Sequence, residues 1–127
     1  MKNKEIAENI INYLKDLGIS IHIYYAFSTN SIYIKLDYGT LGSIRISDHK
    51  GKEKYHYKYN VRTDITECYS EDKSNFYPAN KIDILICDIL IEHNGKIHNK
   101  DYLFIKEKYK QNRKDVSFWR ECEEIIP

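Results

Sequence analysis

The stretch that decides the fold is "SIYIKLDYGTLGSIRISDHKGKEKYHYKYNV", residues 31–61. Apolar side chains occupy alternate positions in two of its segments, namely Ile32, Ile34, Leu36, Ile44 and Ile46. This period-two alternation predicts β-strands that bury one face. The positions between them hold Tyr, Lys, Ser and Arg side chains, so the same strands are expected to present a polar second face.

The alternation continues on both sides of these segments. Residues 20–27, "SIHIYYAF", place Ile21 and Ile23 on one face, and residues 53–62 place four large side chains on one face, namely Tyr55, Tyr57, Tyr59 and Val61. Short turn signals rich in Gly, Ser and Asn separate the segments. Residues 20–62 are therefore predicted to form an antiparallel β-meander of about four or more strands.

Helices are expected before and after this sheet. Residues 3–17 carry apolar side chains at helical spacing, and Gly18 is placed to end that helix. Residues 63–79 are polar and end near Pro78, which predicts a loop. Residues 80–125 are expected to form a helical half, with two short helices near 99–111 and 114–125 after a first long one. The predicted class is α+β, with the whole chain, 1–127, as a single domain.

The first helix of the helical half is apolar on most sides. Besides its main apolar stripe it carries a second one, formed by Ile84, Cys87 and Ile91. A helix of this kind must be covered on most sides, so the sequence predicts a homo-oligomer, simplest as a dimer. An alternative stays open for residues 84–98, because "ILIEHNGKIH" also suits a hairpin with a tight Asn-Gly turn.

Composition excludes several classes of function. The 127 residues have a formal net charge of +1, so no global basic field attracts nucleic acid, and stable nucleic-acid binding is not expected. The three cysteines lie far apart and show no metal-ligand spacing, so neither a structural metal nor a disulfide framework is expected. No apolar run is long enough to cross a membrane. We expect a soluble cytoplasmic protein that needs no cofactor.

The polar face of the predicted sheet is the main candidate site. Arginine forks, lysines, hydroxyl groups and tyrosine rings are what phosphates and bases require, and the chain contains 12 Tyr. The side chains expected to contact a ligand are Tyr33, Lys35, Arg45, Ser47, His49, Lys58 and Arg62. The competing interpretation is an ordinary solvated sheet face with mixed charges.

A metal-dependent nuclease is a weaker alternative. Asp37 ends one strand and Asp48-His49-Lys50 ends the next, which resembles the paired carboxylates and lysine of restriction-type enzymes. The lysine falls in a turn beside Gly51, however, and such a short pattern arises often by chance. No nucleophile–base pair and no Gly-rich phosphate loop is present in the sequence, so we expect a protein that is not an enzyme.

At "LGSIRISDHKGKEKYHYKYNV", with "SIYIKLDYG" before it, the sequence resembles small phage and prophage proteins. Within that group it looks most like the Thoeris anti-defence sponge proteins of the first type. The resemblance covers residues 43–61 at the level of motif and about 20–110 in layout. The N-terminal helix at 3–17 departs from the family pattern.

The resemblance implies a protein that sequesters a signal without catalysis. Members of that family bind cyclic ADP-ribose isomers produced by bacterial defence enzymes, and some also hold cyclic oligonucleotides, in dimers or hexamers built from dimers. It points to Arg45 and Asn94 as ligand-binding residues in this chain. It also places the protein in the cytoplasm of the bacterial host. A protein-binding inhibitor of a defence complex, similar to an anti-CRISPR protein, is the alternative function.

Overall fold

A computed structural model describes residues 2–26, 29–48, 57–113 and 117–127. The helices in these ranges are Asn3–Leu14 (α1), Ile82–Lys96 (α2), Lys100–Gln111 (α3) and Ser117–Glu121 (α4). The strands are Ile21–Tyr25 (β1), Ile32–Leu36 (β2), Gly42–Ser47 (β3), Tyr59–Arg62 (β4), Tyr69–Glu71 (β5), Ser74–Pro78 (β6) and Glu123–Ile126 (β7). Short 3₁₀ turns cover Asp37–Gly39 and Ala79–Lys81. The α+β class predicted from the sequence is confirmed.

The described strands join one open sheet in the order β5-β6-β4-β3-β2-β1-β7. The first three strands pair antiparallel, as predicted. β4 instead runs parallel to β3, with Tyr59 beside Ile44, and β6 runs parallel to β4. The predicted antiparallel meander over 20–62 is therefore wrong from β4 onward. Alternation reports which face a side chain occupies, but it is the same for a strand running in either direction.

The loop predicted over residues 63–79 is also wrong, because it contains an edge hairpin. β5 and β6 pair antiparallel around a turn in which Asp72 has a φ of +53°. β5 is exposed along its whole length. An exposed edge strand needs no apolar alternation, so its polar residues gave no strand signal.

The C-terminal half differs from the prediction at its end. α2 runs through Asn94 and Gly95 to Lys96, so the segment predicted as either a helix or a hairpin, residues 84–98, is a helix that ends in a turn at 97–98. Among the described residues of the helix expected over 114–125, Ser117–Glu121 form α4, whereas Glu123–Ile126 form β7, which pairs antiparallel with β1. β7 has only four residues, which is too few to show the alternation of apolar and polar side chains that predicts a strand.

Two helices cover the isoleucine face of the sheet. α1 and α2 pack there, and the core cluster includes Ile6 and Ile10 from α1 and Leu85 and Ile89 from α2. α1 ends at Leu14, earlier than the predicted residue 17, and Gly18 then turns the chain with a φ of +76°. On the opposite face of the sheet, Phe118 of the C-terminal segment contacts Tyr24 and Lys35.

The second apolar stripe of α2 is exposed in the single chain. Ile91 is 70% exposed and Ile84 is 40% exposed, whereas Leu85 and Ile89 on the first stripe are fully buried. The prediction that a second subunit covers this stripe stays a prediction.

A stability test follows from His93, which is buried on α2 with neither ring nitrogen hydrogen-bonded to any described residue. An unsatisfied buried polar group costs about 1–3 kcal/mol. We expect His93→Leu to leave the free energy of unfolding unchanged or to raise it by about 1 kcal/mol, as measured by urea unfolding. The exposed His98→Leu is the matched control. A loss of stability in His93→Leu alone would mean that the ring has a native partner.

Candidate ligand-binding face

The strand register brings most of the predicted site residues onto one face. Arg45 on β3 lies opposite Tyr33 on β2 and beside Asn60 on β4. Ser47 lies beside Arg62, and Lys35 lies opposite Ser43. We call the part of this surface formed by Tyr24, Tyr33, Lys35, Arg45 and Tyr57 the cationic-aromatic face.

Arg45 lies at the centre of the cationic-aromatic face and is only 8% exposed. No described residue accepts a hydrogen bond from its guanidinium group or forms an ion pair with it. Burying a cation without a partner is unfavourable. Among the side chains of this face, Arg45 is therefore the one at which binding an anion would be most favourable.

Lys35 is half-buried at the edge of the same face. Its Nζ lies 5.0 Å from the centre of the Phe118 ring and 6.0 Å from that of Trp119, both on α4. Burial lowers the pKa of Lys35 below its ordinary value. Within the described ranges no carboxylate forms an ion pair with it, and the Phe118 and Trp119 rings provide cation–π contacts.

Tyrosine rings line the side of the face next to Arg45. The Tyr24 and Tyr33 rings are nearly parallel, with centres 6.1 Å apart, and Tyr57 lies 5.3 Å from Tyr33. The sequence pattern placed Tyr57 on the isoleucine side, and that assignment is wrong. Tyr57 precedes β4, so strand alternation does not govern its direction. These rings provide a surface on which a base can stack.

Two other predicted cations have partners within the protein. Arg62 forms a two-pronged ion pair with Asp64, and this hydrogen bonding raises the pKa of Arg62. Lys58 Nζ lies 2.6 Å from Glu92 Oε1 on α2, beside an opening of about 230 Å³ on the helix side of the sheet. Hydrogen bonds from Lys58 and Lys96 lower the pKa of Glu92. Neither cation is as available to a ligand as Arg45.

The remaining predicted residues are distributed differently. Ser47 is buried beneath the face, where it accepts a hydrogen bond from Ser31 Oγ at 3.1 Å. Asn94 is exposed on α2, the helix that packs on the opposite, isoleucine side of the sheet, so it does not join the face. His49 lies outside the described residues.

The carboxylates of the nuclease alternative are not brought together. β2 and β3 are antiparallel, so Asp37 after β2 and Asp48 after β3 lie at opposite ends of the pair. Asp37 is buried, and it accepts hydrogen bonds from the Ser20 amide and the Tyr102 hydroxyl. Across the described part of the chain, no three His, Cys, Asp or Glu side chains are grouped so as to hold a metal ion.

Comparison with known proteins adds no family assignment. No protein-family model matches the chain, and no curated protein or solved structure is significantly similar to it. No helix in the described ranges is both long and apolar enough to span a membrane.

Proposed function

We propose that the protein binds a small phosphorylated molecule that carries an aromatic base, and that it sequesters this ligand without turnover. The ligand would lie on the cationic-aromatic face, with its phosphate at Arg45. We further propose that this ligand is a cyclic ADP-ribose isomer or a cyclic oligonucleotide that signals in bacterial antiphage defence. The protein would then protect a phage in the cytoplasm of its host.

The observation that carries the proposal is Arg45, a largely buried side chain whose guanidinium group has no acceptor among the described residues. Arginine binds phosphate through two parallel, charge-assisted hydrogen bonds, which are about twice as strong as neutral ones. A phosphate would neutralise a charge that no carboxylate among the described residues neutralises. The face is therefore preorganised for an anion rather than assembled around it.

The aromatic side chains favour a nucleotide over an inorganic anion. Tyr33 lies in register beside Arg45, and its ring stands between those of Tyr24 and Tyr57. Stacking on such rings contributes about 1–3 kcal/mol per base. We favour sequestration over turnover because the neighbours of Arg45 in register are Tyr33 and Asn60, neither of which is a histidine or a carboxylate.

A homo-oligomer belongs to the same proposal. The exposed stripe of Ile84, Cys87 and Ile91 on α2 supports an isologous contact between two copies. The family resemblance extends this to a dimer or to a hexamer built from dimers.

A retention assay tests the function directly. The protein is incubated with a cyclic ADP-ribose isomer made by a TIR-domain enzyme, freed of unbound ligand, and then heated to release what it holds. We expect the intact signal to be recovered in stoichiometric amounts. Recovery of a degraded product would indicate an enzyme instead. If neither the cyclic ADP-ribose isomers nor cyclic oligonucleotides are retained, the proposal is wrong.

A further inference from the structure

The C-terminal segment formed by α4 and β7 covers one end of the cationic-aromatic face. Phe118 and Trp119 of α4 lie over Lys35, and Phe118 also meets the Tyr24 ring edge-on with centres 6.1 Å apart. β7 holds this segment in place by pairing with β1, although the register shifts between Ile21 and His22. A ligand that reached Lys35 would have to displace α4 or enter beneath it.

His22 on β1 lies at the centre of this contact and is only 1% exposed. The centre of its ring lies 5.0 Å from the centre of the Trp119 ring and 5.2 Å from that of the Tyr38 ring. Nε2 is 3.1 Å from Glu124 Oε2 on β7, and Nδ1 has no hydrogen-bond partner in the described part of the chain. A neutral imidazole that donates from Nε2 to Glu124 fits this arrangement.

Other charged and titratable groups surround His22 from each neighbouring element. Lys35 faces it across the β1–β2 pair, and Arg113, at the end of α3, acts on it electrostatically. Tyr38 contacts it from the 3₁₀ turn, and Cys122 follows α4. Glu124 favours a positive charge on His22, whereas Arg113 opposes it.

We propose that α4 and β7 form a pH-sensitive clamp, which is closed over the Lys35 end of the cationic-aromatic face while His22 is neutral and opens when His22 is protonated. The effect on ligand exchange rests on the proposed function, whereas the opening itself does not.

The direction of the pH effect follows from burial. Burial lowers the pKa of His22 below its ordinary value, and the hydrogen bond that His22 donates to Glu124 opposes this only in part. The open state therefore binds a proton more readily than the closed one. The closed state keeps its full stability above about pH 6.5, the ordinary histidine value, and loses stability as the pH falls below it. The ratio of open to closed molecules can rise by up to about tenfold per pH unit.

Trp119 is the only tryptophan of the chain, so its fluorescence reports on the clamp without any ligand. Between pH 7.5 and 5 we expect its emission to shift to longer wavelength while the far-ultraviolet circular dichroism stays constant. We also expect amide hydrogen exchange in residues 117–126, corrected for the intrinsic effect of pH, to increase several-fold. His22→Gln should remove both changes.

A second variant keeps the test independent of the folding of His22→Gln. Glu124→Gln removes the one group that favours protonated His22 and weakens the docking of β7, so its clamp should open at a higher pH than that of the wild type. Exchange in residues 117–126 that is as slow at pH 5 as at pH 7.5 would overturn the proposal.

The dependence on ligand is tested separately. If a cyclic ADP-ribose isomer is retained, its dissociation should accelerate at pH 5.5 in the wild type but not in His22→Gln. An equal acceleration in both proteins would overturn the gating of the ligand. If the retention assay fails, the proposed ligand is wrong. The fluorescence and hydrogen-exchange results still test the clamp, because they need no ligand.

Discussion

Replacing Asp37 with alanine is expected to lower the free energy of unfolding by about 3–5 kcal/mol, the range for breaking a buried ion pair by removing one partner. Asp37 is only 1% exposed and joins three separate parts of the chain. Its carboxylate accepts a hydrogen bond from the Ser20 amide at 2.8 Å and another from the Tyr102 hydroxyl, and it lies 3.1 Å from Lys106 Nζ. Alanine would leave these donors without their acceptor and would detach α3 from the 3₁₀ turn.

The backbone adds to this effect. Asp37 and Tyr38 have φ values of +51° and +60°, in the left-handed region. Aspartate and asparagine tolerate that region better than alanine does. Asp37→Asn should therefore cost less than Asp37→Ala, about 1–3 kcal/mol, because it keeps the backbone preference and one acceptor oxygen but loses the charge.

Guanidinium unfolding followed by circular dichroism measures both Asp37 variants. Asp16→Ala, at an exposed site, is the control and should change stability by no more than about 0.5 kcal/mol. A loss of less than about 1 kcal/mol in Asp37→Ala would show that desolvation cancels the network's contribution.

The Asp37 network also shows where sequence reasoning stops. The alternation of Ile32, Ile34 and Leu36 was sufficient to predict β2 and its buried face, because a strand's faces depend only on its local period. The contact between Asp37 and Tyr102 joins residues far apart in the chain, and no local pattern records it. The parallel direction of β4 and the pairing of β7 with β1 depend on long-range packing in the same way.

The same limit applies to the candidate face. The alternation of side chains along the strands predicted that Lys35, Arg45 and Arg62 lie on the polar side of the sheet, and the observed register agrees. Which cations are neutralised within the protein depends on their partners. Asp64 is close to Arg62 in sequence and was a usable signal, whereas Glu92 reaches Lys58 from a helix distant in sequence. Only the three-dimensional arrangement shows that Arg45, unlike Arg62 and Lys58, has no carboxylate partner among the described residues.

A matched pair of substitutions tests that distinction. Arg45 and Arg62 lie on the same face and are 8% and 7% exposed, but only Arg62 has a carboxylate partner among the described residues. Arg45→Met should leave the free energy of unfolding within about 1 kcal/mol of the wild type or raise it, because it removes a cation without a described partner from a largely buried position and keeps most of the volume. Arg62→Met should lower it by about 1–2 kcal/mol by removing the hydrogen bonds to Asp64.

Ligand binding should show the opposite order. If Arg45 binds a phosphate with two hydrogen bonds, Arg45→Met should weaken binding of a retained cyclic ADP-ribose isomer by about 1.5–3 kcal/mol, or about 10- to 150-fold in Kd. Arg62→Met should weaken binding far less, because Asp64 already engages its guanidinium group. Isothermal titration calorimetry on both variants and on the wild type measures the difference. Unchanged affinity in Arg45→Met, together with a large loss of stability, would instead assign Arg45 a structural role beneath the tyrosine rings.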